Sequence, residues 1–178
     1  MGEFRQNIWA PWRMAYIRSL GEETDDGCFL CRYAGAPADD GDNHVVWRGA
    51  AAFAVLNRFP YTNGHLLVSP LAHKAMLADL TPDESLELMT AVGRSLEALR
   101  ECLGAQGFNV GMNVGRCAGA GLPDHLHWHV VPRWNGDTNF MSIVDDVRVI
   151  PESLEANAGM LRSWFAARRG TSGTSGQS

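Results

Sequence analysis

Three histidines stand two residues apart in His125-Leu126-His127-Trp128-His129, ahead of Val130 and Val131. On a strand, alternate residues share a face, so the imidazoles point one way and Leu126, Trp128 and Val130 the other. The apolar side supplies a core contact, and the imidazoles are left facing a cleft or solvent. Three adjacent groups that titrate near neutral pH are a poor choice for packing alone. Two kinds of chemistry fit the spacing: metal ligation, and nucleophilic or acid–base work on an anionic substrate. A second cluster is Cys28-Phe29-Leu30-Cys31, behind Asp25-Asp26-Gly27, a turn that directs both thiols to one point. Thiolates and imidazoles suit zinc in a tetrahedral four-ligand site, so this pair wants two histidines from elsewhere. The alternatives are a redox dithiol or two buried free thiols. Cys102 and Cys117 have no such neighbours and read as ordinary small residues.

These residues need a scaffold, and 178 residues provide one domain whose core needs no disulfide staples. Hydrophobic residues at 46% and charged residues at 20% exclude extensive disorder. The net charge of -5, from 15 basic and 20 acidic residues, argues against a nucleic-acid partner, which would require a basic face. No run reaches the ~18 apolar residues of a membrane span, and Met1-Gly2-Glu3-Phe4-Arg5 lacks an apolar signal core. A cytoplasmic protein with no membrane partner is the expectation.

Short strands are expected at Val45 to Arg48, Ala51 to Leu56 and His65 to Ser69, in an antiparallel meander broken by Gly49 and by Pro60-Tyr61-Thr62-Asn63-Gly64. Ala34 to Asn43 reads as a surface loop. Thr81-Pro82-Asp83-Glu84 has the residues of a helix start: an N-cap, a proline at the first helical position and a capping-box acid. Leu88, Val92, Leu96, Leu99 and Leu103 then recur on one helix face, and Gly104 supplies the stop. Phe108 to Val114 and Leu126 to Pro132 read as two more strands, and Pro151 to Arg169 as a terminal helix. The fold class is therefore α+β, an antiparallel sheet of about five strands with one long helix and a C-terminal helix. Residues 1–20, rich in tryptophan, are expected to pack on the body or on a partner, 21–169 to form the domain, and 170–178 to be a disordered tail.

His125 to Val131 resembles the signature of the histidine triad (HIT) superfamily of nucleotidyl hydrolases and transferases. The likeness extends through Phe53-Ala54-Val55-Leu56-Asn57, Asn63 to Pro70, His73, Asp79-Leu80-Thr81 and Asn113-Val114-Gly115, roughly Cys28 to Trp134. Asn57-Arg58-Phe59-Pro60-Tyr61, the aromatic N-terminal segment and Gly136 to Met141 after the triad look most like the diadenosine tetraphosphate phosphorylase branch.

That resemblance implies a HIT-like fold and cleavage of dinucleoside polyphosphates through a covalent nucleotidyl-histidine on His127, with inorganic phosphate as acceptor. Two rivals are hydrolysis of dinucleoside polyphosphates or adenosine phosphoramidates by water, and a non-catalytic nucleotide-binding scaffold. His129 is implied to contact phosphate or to help protonate the leaving group, and His65 to line the site and fix imidazole orientation. Structural zinc is implied on Cys28, Cys31, His73 and His125, and a homodimer or higher homo-oligomer through the sheet edge and long helix. Asn57 is implied at the ribose, or is only a turn former. Asn113 and Gly121 are implied near phosphate, and Trp134 either closes over the phosphates or anchors a loop. Relatives carry a Gln-Ser or Gln-Thr hydroxyl before the triad, where this chain has Gly121-Leu122-Pro123-Asp124; Arg116 and Arg133 are candidate compensating cations. Phe29, Phe53 and Leu56 wall an adenine pocket or are plain core.

Overall fold

The computed structural model describes residues 27–137 and 151–168. The N-terminal segment 1–20 and the tail 170–178, with the expectations attached to them, lie outside the described residues. A short helix α1 (Phe29–Gly35) leads to β1 (Val45–Arg48), β2 (Ala52–Leu56) and β3 (Leu66–Pro70). The long helix α2 (Pro82–Leu103) follows, then β4 (Gly107–Gly111), β5 (Trp128–Arg133) and the C-terminal helix α3 (Leu154–Ala167). The strands form one antiparallel sheet in the order β1-β2-β3-β5-β4.

Helix α2 begins and ends where its sequence says. The Thr81 hydroxyl accepts the Glu84 N–H (3.2 Å) and Glu84 accepts the Thr81 N–H (2.6 Å), so two end donors are satisfied reciprocally. Gly104 closes the helix at φ 64°, a left-handed position that glycine takes without a Cβ penalty. Its buried face is Leu88, Ala91, Val92, Ser95, Ala98 and Leu99. This face packs with Leu161, Trp164 and Phe165 of α3 against Ala52, Ala54, Leu56, Leu66, Val68 and Val130 of the sheet. The alternate residues of β1 to β3, Val45, Phe53, Val55 and Leu67, turn to the other face and meet Leu30 and Tyr33 of α1. β2 is thus buried on both sides, which is why its sequence lacks polar alternation.

Three local expectations need correction. The expected loop from Ala34 begins with the end of α1, a helix that Cys28 caps, and a 3-10 turn, Pro37–Asp39. A seven-residue helix holding two core residues three apart is too short to reveal its period in sequence. β4 ends at Gly111 instead of Val114, and β5 starts at Trp128 instead of Leu126. His125 and His127 therefore precede the strand. The backbone of this lead-in bonds elsewhere: the Leu126 N–H donates to Lys74 (2.7 Å), and the Leu126 carbonyl accepts the Ser69 hydroxyl (2.9 Å).

Candidate nucleotidyl-transfer and metal site

The histidines gather on the α1 side of the sheet. His65 enters β3 from the turn at Gly64, whose φ is 73° and whose missing Cβ would lie 2.4 Å from Leu103 of α2. Glycine is required there on both counts, and the close approach seats the turn on the helix. The Thr62 hydroxyl ties the same turn to the Pro132 carbonyl (3.0 Å), and Asn157 of α3 donates to the Asn63 side chain (2.8 Å). His129 lies on β5 opposite Leu67 and Gly111.

The hydrogen bonds set which nitrogen of each ring holds its proton. Burial, followed by the neighbouring His129 and His127, holds the pKa of His65 down at about 3, so the ring is neutral. Its Nδ1 accepts the backbone N–H of Tyr61 (3.1 Å), with the Asn57 amide nitrogen 3.3 Å away, which leaves the proton on Nε2. That Nε2–H donates to His129 Nδ1 (3.0 Å). His129, held at about 4 by burial and then by His127, must carry its own proton on Nε2. His127 is set the opposite way: its Nδ1–H donates to the His125 carbonyl (2.8 Å), leaving a lone pair on Nε2. Burial lowers its pKa, and that carbonyl opposes the shift. The two rings meet edge to face with centroids 5.1 Å apart. One pair thus offers an unprotonated nitrogen beside an N–H donor, which is a nucleophile beside an acid.

His125 differs from its neighbours. It is fully buried, not turned to cleft or solvent as the alternation suggests. Its Nε2–H donates to the Pro70 carbonyl (3.0 Å), which turns Nδ1 toward Cys28 Sγ (3.1 Å) and Cys31 Sγ (3.4 Å). His73 Nδ1 stands 3.1 Å from Cys31 Sγ. One ligand atom from each of the four residues lies within 4.8 Å of the others. A tetrahedral zinc with these donors separates them by about 3.5 Å, so the set fits such an ion with little adjustment. Burial pushes the Cys28 thiol up to about 11, a cost that a bound cation would offset. The Pro70 carbonyl is the outer partner that a ligating imidazole normally has.

The remaining expected site residues divide. Asn57 is brought beside His65, and its side-chain oxygen also accepts the Phe59 N–H (2.9 Å), so it forms the turn as well. Asn113 closes the loop after β4 onto the Gly119 carbonyl (3.5 Å), a loop that carries a 3-10 turn, Arg116–Ala118, between Gly115 and Gly119, both at positive φ. Gly121 follows this loop as a half-buried residue. Trp134 is not brought to the histidines. It packs with the helix-side core and donates to the Leu103 carbonyl (3.2 Å), because even-numbered residues of β5 face the helices; it anchors its loop. Arg133 is also withdrawn, held by Asp137 and by Asn109 (2.9 Å) at the far end of β5. Arg116 is exposed; its carbonyl accepts the Gly119 N–H (3.0 Å), and its guanidinium has no hydrogen bond or ion pair among the described residues. Phe29, Phe53 and Leu56 are core: Leu56 faces the helices, while Phe53 and the half-buried Phe29 pack on the α1 side. Sequence reasoning missed Tyr61, whose ring lies over His65 and His129 (centroids 4.7 and 5.9 Å), and the carbonyl of Pro70, which no side-chain pattern could announce.

A five-stranded antiparallel sheet that presents paired, oppositely protonated imidazoles beside a partly buried two-cysteine, two-histidine cluster defines a class. The HIT domain family matches residues 39–136, and the chain belongs to that family. It is 38% identical to the AP-4-A phosphorylase of Mycobacterium tuberculosis, over 90% of this chain and 85% of that protein. The bis(5'-nucleosyl)-tetraphosphatase (asymmetrical) of Schizosaccharomyces pombe is 32% identical over 69% of this chain and 64% of its own length. Among solved structures, a Zn-bound histidine triad family protein from Mycobacterium smegmatis superimposes with a TM-score of 0.63 at 30% identity, covering 79% of this chain and 94% of that one.

Proposed function

We propose that this protein is a nucleotidyl transferase that cleaves diadenosine tetraphosphate and related dinucleoside polyphosphates by phosphorolysis. The observation that carries this reading is the opposite protonation of His127 and His129 at Nε2. The His127 lone pair attacks the α-phosphorus; a bond forms from nitrogen to phosphorus, and the bond from that phosphorus to the bridging oxygen breaks. The leaving nucleoside triphosphate takes the electron pair, and His129 Nε2–H is placed to donate to it or to the phosphoryl oxygens. As the His127 ring becomes cationic, its Nδ1–H bond to the His125 carbonyl strengthens, which lowers the cost of the intermediate. Inorganic phosphate then attacks the same phosphorus from the vacated side, releasing ADP and restoring the neutral ring. In this reading Asn57 takes a ribose hydroxyl and the loop of Asn113, Arg116 and Gly121 takes phosphate oxygens, with Arg116 compensating for the hydroxyl that Gly121-Leu122-Pro123-Asp124 lacks.

Zinc on Cys28, Cys31, His73 and His125 is structural in this reading: all four positions are filled by protein, which leaves none for substrate. When bound, such an ion neutralises the thiolates and ties α1 to the lead-in of the histidine array. Pairing of two copies through the β4 edge and α2 is supported by the exposed Val110, Leu86 and Met89. Among the described residues no helix is long and apolar enough to cross a membrane, and a cytoplasmic location accords with free nucleotide substrates.

Product analysis with diadenosine tetraphosphate, in the presence and absence of phosphate, tests the reaction. ATP and ADP in equal amounts, dependent on phosphate, are expected. AMP with phosphate in excess assigns water as the acceptor, the activity that the yeast relative's name describes.

A further inference from the structure

The neutral pair His65–His129 needs to be kept from water, and the sheet supplies cover on one flank only. Leu67 lies opposite His129 on β3, whereas Gly111 lies opposite on β4 and has open space where its Cβ would be. The His127 ring meets that of His129 at 67° rather than stacking along it. The cover comes from the turn before β3. The Tyr61 ring lies 4.7 Å from that of His65 at 32° and 5.9 Å from that of His129 at 20°, spanning the bond that joins them. Its backbone N–H also fixes the proton on His65 Nε2. We infer that Tyr61 is a positioning residue, whose side chain roofs the His65–His129 bond and so holds His129 as an Nε2–H donor toward the reacting phosphate. The inference rests on the reading of His129 as that donor.

Two effects of an aromatic ring compete here. Exclusion of water favours the neutral imidazole, whereas a ring face stabilises an imidazolium. The geometry decides for exclusion: at 5.9 Å and near-parallel, Tyr61 is offset from His129 rather than face-centred on it, and a proton added at His129 Nδ1 would break the bond from His65 Nε2–H. The titratable groups facing His129 are His127, His65 and Tyr61. No carboxylate or guanidinium among the described residues bonds either ring of the pair.

The test is histidine-ring NMR titration of the full chain together with the pH dependence of kcat/KM, in the wild type, Tyr61→Ala and Tyr61→Phe. In Tyr61→Ala the His129 midpoint is expected to rise by about one pH unit or more. Protonation at Nδ1 would break the bond from His65 that orients the ring, so the acid limb of kcat/KM should follow, with a several-fold loss near pH 5 and none near pH 8; Tyr61→Phe, which keeps the roof, should match the wild type. Should the alanine variant fail to fold, Tyr61→Thr carries the same expectation. A midpoint that stays or falls overturns the inference. A midpoint that rises while the kinetic limb stays put supports the roof and rejects the need for a His129 ring oriented by His65, so the two failures are distinct.

Discussion

Two groups of imidazoles meet at one side of the sheet, and His125 of the first runs straight on in sequence to His127 and His129 of the second, yet their rings are held differently. His73 and His125 sit among thiols, and His125 has its Nδ1 lone pair turned to both sulfurs. Among the described residues, His127 and His129 have no sulfur within reach of a hydrogen bond, and Nδ1 of each is engaged by an imidazole or a carbonyl. The residue type is the same and the spacing is the same. What differs is the partner of the other nitrogen: the Pro70 carbonyl for His125, the His125 carbonyl for His127, a third imidazole for His129. Function in this array is therefore assigned by acceptors and donors behind the ring, not by the ring.

The sharpest way to break this comparison is His127→Ala. Turnover of diadenosine tetraphosphate should fall by about four orders of magnitude, while metal content and fold persist. Loss of the metal in that variant would mean that the two groups are one site. The converse is Cys28→Ser combined with Cys31→Ser. Bound zinc should vanish by metal analysis, the thermal midpoint should drop by about 10 °C, and turnover of the folded fraction should decline about ten- to a hundredfold through displaced ligands. Turnover as low as in His127→Ala would show a catalytic metal instead.

pH tests the buried ring that backs the second group. The folded pKa of His65 lies at about 3, below its ordinary 6.5, so at pH 7 the ring is largely neutral whether folded or unfolded. As pH falls below 6.5 the unfolded chain takes up a proton that the folded chain refuses, and stability declines by up to about 1.4 kcal/mol for each pH unit down to the folded value. Denaturant titrations of the wild type and of His65→Gln between pH 7.5 and 4.5 should differ in slope by that amount; parallel curves would reject the buried neutral ring. The smallest effect is expected at the loop. Arg116→Gln should raise KM for the polyphosphate about two- to fivefold with kcat nearly unchanged, and the difference should shrink in high salt. An unchanged KM would leave the backbone N–H groups as the phosphate contacts.

Much of this arrangement is legible in the sequence because it follows from local chemistry. Thr81, Pro82, Glu84 and Gly104 state both ends of α2, and the leucine spacing states its buried side. The four sulfur and nitrogen ligands come together as the resemblance implies, since CxxC is a local unit and His73 and His125 flank the ends of paired strands. Failures have long-range causes. β5 loses its first two residues because Ser69 and Lys74 capture the backbone of Leu126, contacts made across more than fifty residues. Trp134 goes to the helix side because strand alternation places it there, a parity that outweighs its nearness to the triad in sequence. Arg133 is removed from the candidates by Asp137 four residues on, a pairing that could have been weighed from the sequence.

The groups that orient the three central rings, the Tyr61 N–H and the His125 and Pro70 carbonyls, all belong to the main chain. A point substitution can move such a group but cannot delete an acceptor carbonyl, and among replacements only proline removes an N–H. The orientation of His65, His125 and His127 is accordingly robust to genetic drift in a way that the side-chain bond from His65 to His129 is not. An insertion or deletion near residues 61, 70 or 125 shifts those groups bodily, so changes of chain length there should be purged far more strictly than changes of residue type.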